Sequence, residues 1–272
     1  MLCWLYVIGA LWRLKKAGLS VAVLLYGVDR SLELVHHSIT RSILHKLSER
    51  NIYVKIFAHE VLLGEKRPSS NYKLIRANVV EGWQQNQLRA EKHSFFKRIN
   101  EFGDAWNNNN VSTMNELTAL TSLKRAAELA SSDLVAFDGL VVLRPDLLYI
   151  DKLDVSLLID SVRTKSVVIP NWQWYEGCND RFSYGAWTPM LKIAQRVDQI
   201  EAFCSERNGP FHAEEFMLWN IMKNHIKMNT TTQRGLRVRP GGNVFILDVH
   251  LLNSSEKRWI QYHYDGISME GP

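Results

Sequence analysis

The sequence predicts an α/β domain in which helices flank a mostly parallel central sheet. Residues 20–26 form an unbroken run of β-prone, mainly apolar side chains, which is typical of a strand buried on both faces. Apolar residues then recur at helical spacing over residues 32–49, and residues 53–58 supply a second strand. A strand, a helix and a strand in this order make one βαβ unit, and such units build parallel sheets.

The later segments continue this alternation of helices and strands. Helical spacing of apolar residues predicts helices over residues 114–129, 155–163, 189–204 and 213–226. Short apolar runs predict strands over residues 134–143, 166–169 and 244–249. The polar stretch 66–110 ends in four consecutive asparagines, and we expect it to form a loop with one helix.

Length and composition fit one globular domain, which we place at residues 19–272. The chain has 272 residues, of which 46% are hydrophobic and 22% charged, and no repeat or linker divides it. A formal net charge of +5 favours anionic partners. This charge is not gathered on a basic face with interleaved aromatic residues, so we expect no nucleic-acid partner. Three cysteines without metal-ligand spacing argue against a disulfide framework and against a zinc site.

Residues 1–18 are predicted to form a separate apolar helix with a basic end. Its apolar run, residues 2–12, is shorter than the roughly 20 residues that span a bilayer. The basic residues follow the run, whereas a signal peptide places them before it. We expect a helix that packs on the domain or associates weakly with a membrane through residues 1–16, and a truncated anchor is a third alternative. The compartment therefore stays open between cytoplasm, membrane surface and, for a truncated anchor, a Golgi-type lumen.

The most informative site signal is Arg144-Pro145-Asp146, called here the Arg-Pro-Asp turn, which ends an apolar run. Such a turn lies at the carboxyl end of a predicted strand, where open α/β sheets bind ligands. Arginine bonds phosphate oxygens through two N–H groups, and aspartate supplies hard oxygen ligands to divalent metals. The turn therefore suits a diphosphate and a metal, and a structural Arg–Asp pair is the alternative.

A second candidate group follows the first predicted strand. Gly27 permits a close approach of the backbone, and Arg30 can contact a phosphate. The helix that begins just beyond favours an anion at its amino terminus. The segment lacks the glycine spacing of a dinucleotide-binding or phosphate-binding loop, so a structural turn is the alternative.

Two further groups carry aromatic and acidic side chains. Trp172 and Trp174 precede Asp180, and aromatic faces beside a carboxylate suit a sugar ring, although they also suit the cover of a core. Glu214 and Glu215 begin a predicted helix, where the helix dipole alone favours acids. A carboxylate at this place is also a candidate general base for transfer to a hydroxyl group.

These motifs, in their order, resemble the GT-A-type glycosyltransferases of capsular and lipopolysaccharide-type synthesis and their eukaryotic and viral relatives. The similarity runs from about residue 20 to residue 242. The matching segments are Tyr26-Gly27 with Arg30-Ser31, Ile56-Phe57-Ala58-His59, Leu120-Thr121-Ser122-Leu123, Phe137-Asp138 leading into the Arg-Pro-Asp turn, Asn179-Asp180-Arg181-Phe182-Ser183-Tyr184-Gly185, and His212-Ala213-Glu214-Glu215.

The resemblance implies a GT-A-like, Rossmann-like fold that transfers a sugar from a nucleotide-sugar donor, with a UDP-sugar expected, to a glycan or other hydroxyl acceptor. We assign donor binding to Tyr26, Gly27, Arg30, Ser31, Asp138, Arg144 and Asp146. We assign acceptor binding to Trp172 and Trp174. We assign catalysis to Glu214, Glu215 and Asp180.

The expected cofactor is Mn²⁺ or Mg²⁺, although the metal motif of this family is incomplete. Most such folds hold the metal with an Asp-x-Asp motif, and Arg144 stands in the first Asp position. Asp146 is therefore the one predicted metal ligand, and the guanidinium of Arg144 could itself neutralise the departing diphosphate. Two other classes stay open: a nucleotidyltransferase, which should carry a glycine-rich loop with a lysine after its first strand, and a non-catalytic carbohydrate- or protein-binding domain.

Overall fold

The computed structural model describes residues 18–64 and 67–269, and it has an α/β fold. The strands are β1 (Ser20–Gly27), β2 (Tyr53–Leu62), β3 (Val79–Gln84), β4 (Gly139–Leu143), β5 (Leu147–Tyr149), β6 (Ser166–Pro170), β7 (Ser183–Ala186), β8 (Lys227–Thr231) and β9 (Gly235–Arg237). The α-helices are α1 (Leu32–Ile39), α2 (His45–Glu49), α3 (Gln85–Glu91), α4 (His93–Asn100), α5 (Val111–Ser131), α6 (Val155–Thr164), α7 (Trp187–Ala194), α8 (Ile200–Arg207), α9 (Ala213–Lys223), α10 (Ile246–Val249) and α11 (Ser254–His263). A π-helical segment (Thr40–Leu44) joins α1 to α2, and 3₁₀ turns cover Ser70–Ile75 and Arg196–Gln199.

The central sheet has seven strands in the order β3-β2-β1-β4-β7-β6-β8. Strand β7 runs antiparallel to both of its neighbours, and every other pairing in this sheet is parallel. Strands β5 and β9 form a separate antiparallel pair. The predicted mostly parallel sheet flanked by helices is confirmed.

Both faces of the sheet are covered, which explains the unbroken apolar run in β1. Val21, Val23 and Leu25 belong to one core cluster, which includes the apolar side of α1. Ala22 and Leu24 belong to a second cluster, which includes the apolar side of the long helix α5. Since successive side chains of a strand point to opposite faces, a strand covered on both sides needs apolar residues at every position.

The strand order changes direction at β1, and this creates a crevice. From β1 the chain moves outward through β2 and β3, and it then returns to place β4 on the other side of β1. At such a switch point the loops that leave two neighbouring parallel strands diverge, and ligands of open α/β sheets bind in the space between them. Gly27 ends β1 and Arg144 follows β4 at this edge.

Several predicted elements differ from the structure. The strand predicted over residues 244–249 is wrong: Val244 makes one isolated bridge to Val238, and the chain then forms helix α10. The helix predicted over residues 189–204 is interrupted by the 3₁₀ turn, which separates α7 from α8. The stretch predicted as a loop with one helix contains β3, α3 and α4.

Strand β8 was not predicted because it is polar and lies at the edge of the sheet, where one neighbour orders it. The helix predicted for residues 1–18 lies outside the described residues, apart from Gly18. Within residues 18–64 and 67–269, none of the helices has the length and apolar character needed to cross a bilayer.

Candidate functional site

A cleft of about 640 Å³ opens at the switch point between β1 and β4. This volume lies within the range of roughly 300–1,000 Å³ that is usual for small-molecule sites. Most of the residues predicted from the sequence line it. These are Tyr26, Gly27, Arg30, Arg144, Asp146, Asp180 and Glu214. The cleft therefore brings together predicted residues that are spread over the chain from position 26 to position 214.

The Arg-Pro-Asp turn forms a two-pronged ion pair on the wall of the cleft. Arg144 donates from Nε to Oδ1 of Asp146 at 2.8 Å and from Nη2 to Oδ2 at 2.9 Å. The side chain of Asp146 is only 3% exposed. Burial opposes its ionisation, but the charge and hydrogen bonds of Arg144, with the charge of Arg30, outweigh burial and hold the pKa of Asp146 below its usual range.

The backbone of Val238 joins three loops around the cleft. Its carbonyl accepts a hydrogen bond from Oγ of Ser31 at 2.9 Å, which fixes the loop after β1. Its N–H donates to the carbonyl of Asp146 at 2.9 Å, which fixes the Arg-Pro-Asp turn. Asp146 is one of these bonded residues, Arg30 precedes Ser31, and Arg239 follows Val238. The two hydrogen bonds therefore set the relative positions of the three residues.

Arg237 and Arg239 line the cleft but were not selected as site residues from the sequence. Arg237 makes a two-pronged pair with the fully buried Asp248, donating from Nη2 to Oδ1 at 2.7 Å and from Nε to Oδ2 at 2.9 Å. The guanidinium of Arg239 lies 4.7 Å from the centre of the Phe245 ring. Arg239 forms no ion pair within the described ranges. Two arginines spaced by one residue just before Pro240 were the signal that could have identified them.

A group of carboxyl groups also lines the cleft, and two of them, Glu116 and Asp180, feel the charge of Arg144. Burial, followed by the negative charge of Asp180, raises the pKa of Glu116 to about 8. Burial also opposes ionisation of Asp180, but the charges of Arg181, Arg196 and Arg144 outweigh it and lower the pKa of Asp180. At neutral pH, Glu116 therefore holds a proton while Asp180 is ionised. Glu116 lies in α5, and no local motif marks it in the sequence.

Glu214 is buried in the first turn of α9 and faces the cleft. Its Oε1 accepts a hydrogen bond from Nη2 of Arg181 at 3.0 Å. Burial, and then the charge of Asp180, raise the pKa of Glu214 to about 7, while Arg181 acts in the opposite direction. Gly177 allows the preceding loop to approach α9, because a Cβ at this position would overlap the carbonyl of Glu214. The N–H of Cys178 donates to that carbonyl at 2.9 Å.

Three predicted site residues do not line the cleft, because their polar atoms have structural partners elsewhere. Asp138 precedes β4 at the opposite edge of the sheet, where Oδ2 accepts from the N–H of Ser20 at 2.9 Å, and it lines a second cavity of about 470 Å³. Ser31 is buried and holds Val238 rather than a ligand. Glu215 forms an ion pair with Arg207. The predicted ligand contacts of Asp138 and Ser31, and the catalytic position of Glu215, are therefore corrected.

The two tryptophans assigned to the acceptor also lie outside the cleft lining. Nε1 of Trp172 donates to the carbonyl of Gln233 at 2.7 Å, and Nε1 of Trp174 donates to the carbonyl of Pro170. Trp174 also packs against the second core cluster. Their indole N–H groups are thus used to fix the loop between β6 and β7, which fits the alternative of a core cover, and the acceptor assignment stays a prediction.

The residues present do not fit the metal site that the family resemblance implied. Both oxygens of Asp146 already accept hydrogen bonds from Arg144. The described residues include no group of three or more His, Cys, Asp or Glu side chains arranged to hold a metal ion. Asp146 therefore serves as a partner of Arg144.

Comparison with known proteins gives only distant structural similarity. No protein-family model and no curated protein matches the chain. The chain is similar to mouse xyloside xylosyltransferase 1 in its apo form, with 9% identity, 78% of this chain and 85% of that chain covered, and a TM-score of 0.45. It is also similar to a putative nucleotide-diphospho-sugar transferase from Desulfovibrio desulfuricans G20, with 10% identity, 78% and 79% covered, and a TM-score of 0.39. At these values the function must be argued from the cleft itself.

Proposed function

We propose that the protein transfers a sugar from a nucleotide-sugar donor, with a UDP-sugar as the expected donor, to a hydroxyl acceptor. One observation carries this proposal: the cleft at the switch point joins a group of arginines to a group of buried carboxyl groups. The first group suits a diphosphate, and the second suits the activation of a hydroxyl. Both are needed when an activated sugar meets its acceptor.

The lining of the cleft carries a net positive charge. Six arginines line it: Arg30, Arg89, Arg144, Arg181, Arg237 and Arg239. Four acidic residues line it: Glu116, Asp146, Asp180 and Glu214. Cations therefore outnumber anions, and a negatively charged ligand is attracted. A nucleoside diphosphate fits this balance because arginine bonds phosphate oxygens in pairs.

Glu214, which lines the same cleft, is a base with a suitable pKa. General base catalysis is most effective when the pKa of the base lies near the working pH, and the pKa of Glu214 is raised to about 7. In the proposed step, Glu214 takes the proton of the acceptor hydroxyl. The acceptor oxygen forms the new bond to the sugar carbon, and the bond from that carbon to the phosphate oxygen breaks. The electron pair leaves with the nucleoside diphosphate, next to the arginines.

Asp180 is proposed as a hydrogen-bond acceptor for the sugar. Its carboxylate lines the cleft together with the carboxyl groups of Glu116 and Glu214. Burial opposes its ionisation, but the charges of Arg181, Arg196 and Arg144 lower its pKa, so it is ionised. The hydroxyl of Tyr26 donates to its backbone carbonyl at 3.4 Å, which ties the loop before β7 to the end of β1. Sugar hydroxyl groups are donors that such a carboxylate binds with charge-assisted hydrogen bonds.

The other function classes have less support. A carbohydrate-binding domain would use exposed aromatic rings, but Trp172 is buried and Trp174 packs against the second core cluster. A nucleotidyltransferase would need a glycine-rich loop with a lysine after β1, and residues 27–31 contain a single glycine and no lysine.

The first test is a thermal-shift screen of nucleotide sugars in two buffers, one with Mn²⁺ and one with EDTA. A ligand that binds only the native state raises the apparent melting temperature, so a donor should be recognised in at least one buffer. If no nucleotide or nucleotide sugar stabilises the protein in either buffer, the proposed function is refuted.

The second test uses a matched pair of variants on neighbouring residues. Glu214→Gln keeps the size of the side chain and removes the base, so we expect transfer to fall by about 10²–10⁴-fold. Glu215→Gln changes a carboxylate that pairs with Arg207 outside the cleft lining, and transfer should stay within about threefold. Equal activity of the two variants would show that Glu214 is not the general base.

A further inference from the structure

The carboxylate of the Arg-Pro-Asp turn is already occupied by a cation. The two oxygens of Asp146 bond Nε and Nη2 of Arg144, and Nη1 of Arg30 lies 3.9 Å from Oδ2. A divalent ion needs an oxygen lone pair at about 2.0–2.6 Å. An ion that used a remaining lone pair of Asp146 would lie beside the guanidinium groups of Arg144 and Arg30, and both positive charges would repel it.

The field around this turn also favours an anion over a second cation. Arg239 is partly buried, and burial, followed by the charges of Arg237 and Arg30, lowers its pKa. The positive charges of Arg30, Arg237 and Arg239 repel one another. The nearby carboxylates do not cancel this repulsion, because Asp146 pairs with Arg144 and Asp248 pairs with Arg237. A bound dianion relieves this repulsion, whereas a divalent metal increases it.

The cations are held in place before any ligand binds. Val238 links the loop of Arg30 to the Arg-Pro-Asp turn, because its carbonyl accepts from Oγ of Ser31 and its N–H donates to the carbonyl of Asp146. Arg239 follows Val238 directly, and its guanidinium rests on the Phe245 ring. Ordering of flexible side chains is part of the free-energy cost of binding. Arginines that are already held in place therefore bind a diphosphate better than mobile arginines do.

We infer that Arg30, Arg144 and Arg239 bind the diphosphate of the nucleotide directly, and that this site works without a divalent metal ion. Asp146 is then a positioning residue that orients Arg144, not a ligand for Mn²⁺ or Mg²⁺. The inference rests on the proposed function, since it concerns the nucleotide of the same cleft. It replaces the cofactor expected from the family resemblance.

The test is isothermal titration calorimetry of the whole protein with UDP, once in EDTA and once in Mn²⁺. We expect dissociation constants that agree within about threefold, because no metal takes part. Binding in Mn²⁺ alone would overturn the inference and leave the proposed function standing. Absence of binding in both buffers would overturn both.

Three variants in EDTA separate an arginine site from a metal site. Arg30→Gln and Arg239→Gln should each weaken UDP binding by about tenfold or more, since each removes a charged hydrogen-bond donor. Asp146→Asn should change UDP binding by the same factor in EDTA and in Mn²⁺, because it acts only through Arg144, which loses one of its two charged hydrogen bonds. If Asp146 were a metal ligand, the variant would weaken UDP binding in Mn²⁺ much more than in EDTA, and that result would contradict the inference.

Arg163→Gln is the matched control for the arginine variants. Arg163 lies in α6, is 77% exposed and does not line the cleft, so UDP binding should not change. A melting curve of each variant checks its fold, and the comparison of the two buffers on the unaltered protein decides the question even if Asp146→Asn is unstable. Equal weakening by Arg163→Gln and Arg239→Gln would mean that only general charge attraction was measured, and the inference would fall.

Discussion

Replacing Arg144 by methionine should destabilise the fold through the aspartate that it leaves behind. The Arg144→Met variant keeps an apolar stem but removes both hydrogen bonds to Asp146, whose side chain is 3% exposed. Breaking a buried ion pair by removing one partner costs about 3–5 kcal/mol. Arg30 stays 3.9 Å from Oδ2 and offsets part of this loss, so we expect a decrease of about 2–4 kcal/mol in the free energy of unfolding at pH 7.5.

The pH dependence of this loss identifies its cause. In the original protein the pKa of Asp146 is below its usual value, so its contribution is fully present above about pH 4 and is lost as the pH falls through the folded-state pKa. In the variant, burial without Arg144 should raise the pKa of Asp146, and protonation then relieves the unpaired charge. The difference in stability between the two proteins should therefore be largest at neutral pH and shrink towards pH 4.5.

The assay is urea unfolding followed by tryptophan fluorescence at pH 7.5 and pH 4.5. Arg163→Met is the control, because the Arg163–Asp160 pair is exposed and such pairs contribute about 0–1 kcal/mol. A loss for Arg144→Met that equals the control, or that is the same at both pH values, would refute this reasoning.

Four further predictions concern Glu214, Gly177 and Asn253. The kcat/KM of transfer should rise with pH to a plateau above about pH 7, since Glu214 acts as a base only after losing its proton, and a flat profile from pH 5.5 to 8.5 would contradict this. In unfolding experiments the stabilising effect of protonated Glu214 is present below its unfolded-state pKa and is lost as the pH rises through about 7, so Glu214→Gln should become relatively more stable over that interval. Gly177→Ala should lose about 1–3 kcal/mol, because its Cβ would overlap the carbonyl of Glu214, while Gly209→Ala, whose Cβ would meet its nearest neighbour at 3.8 Å, should lose less. Asn253→Ala should lose about 1 kcal/mol, because it removes the capping box of α11, and a melting curve that matches the original protein would disprove this contribution.

The parts of the fold that were predicted correctly are those with a strong local signal. Strands β1, β2 and β4 are apolar runs, and α5 has a repeated apolar stripe. Arg30 and Arg144 were found because each follows such a strand, and the carboxyl ends of parallel strands meet at one edge.

The parts that were missed depend on contacts between distant segments. Strand β8 is polar and is ordered by pairing with β6. Glu116 and Arg239 reach the cleft through the packing of α5 and of the turn after β9, which no local pattern encodes. The contact of Trp172 was missed for the same reason, because the carbonyl of Gln233 that accepts from its indole lies 61 positions further along the chain.

A crystal structure with UDP bound would show directly where the diphosphate of the nucleotide binds. We expect it in the cleft between β1 and β4, with its oxygens within hydrogen-bond distance of the guanidinium groups of Arg30 and Arg239. Nucleotide bound instead at the opposite edge of the sheet, in the cavity lined by Asp138 and Lys165, would contradict it.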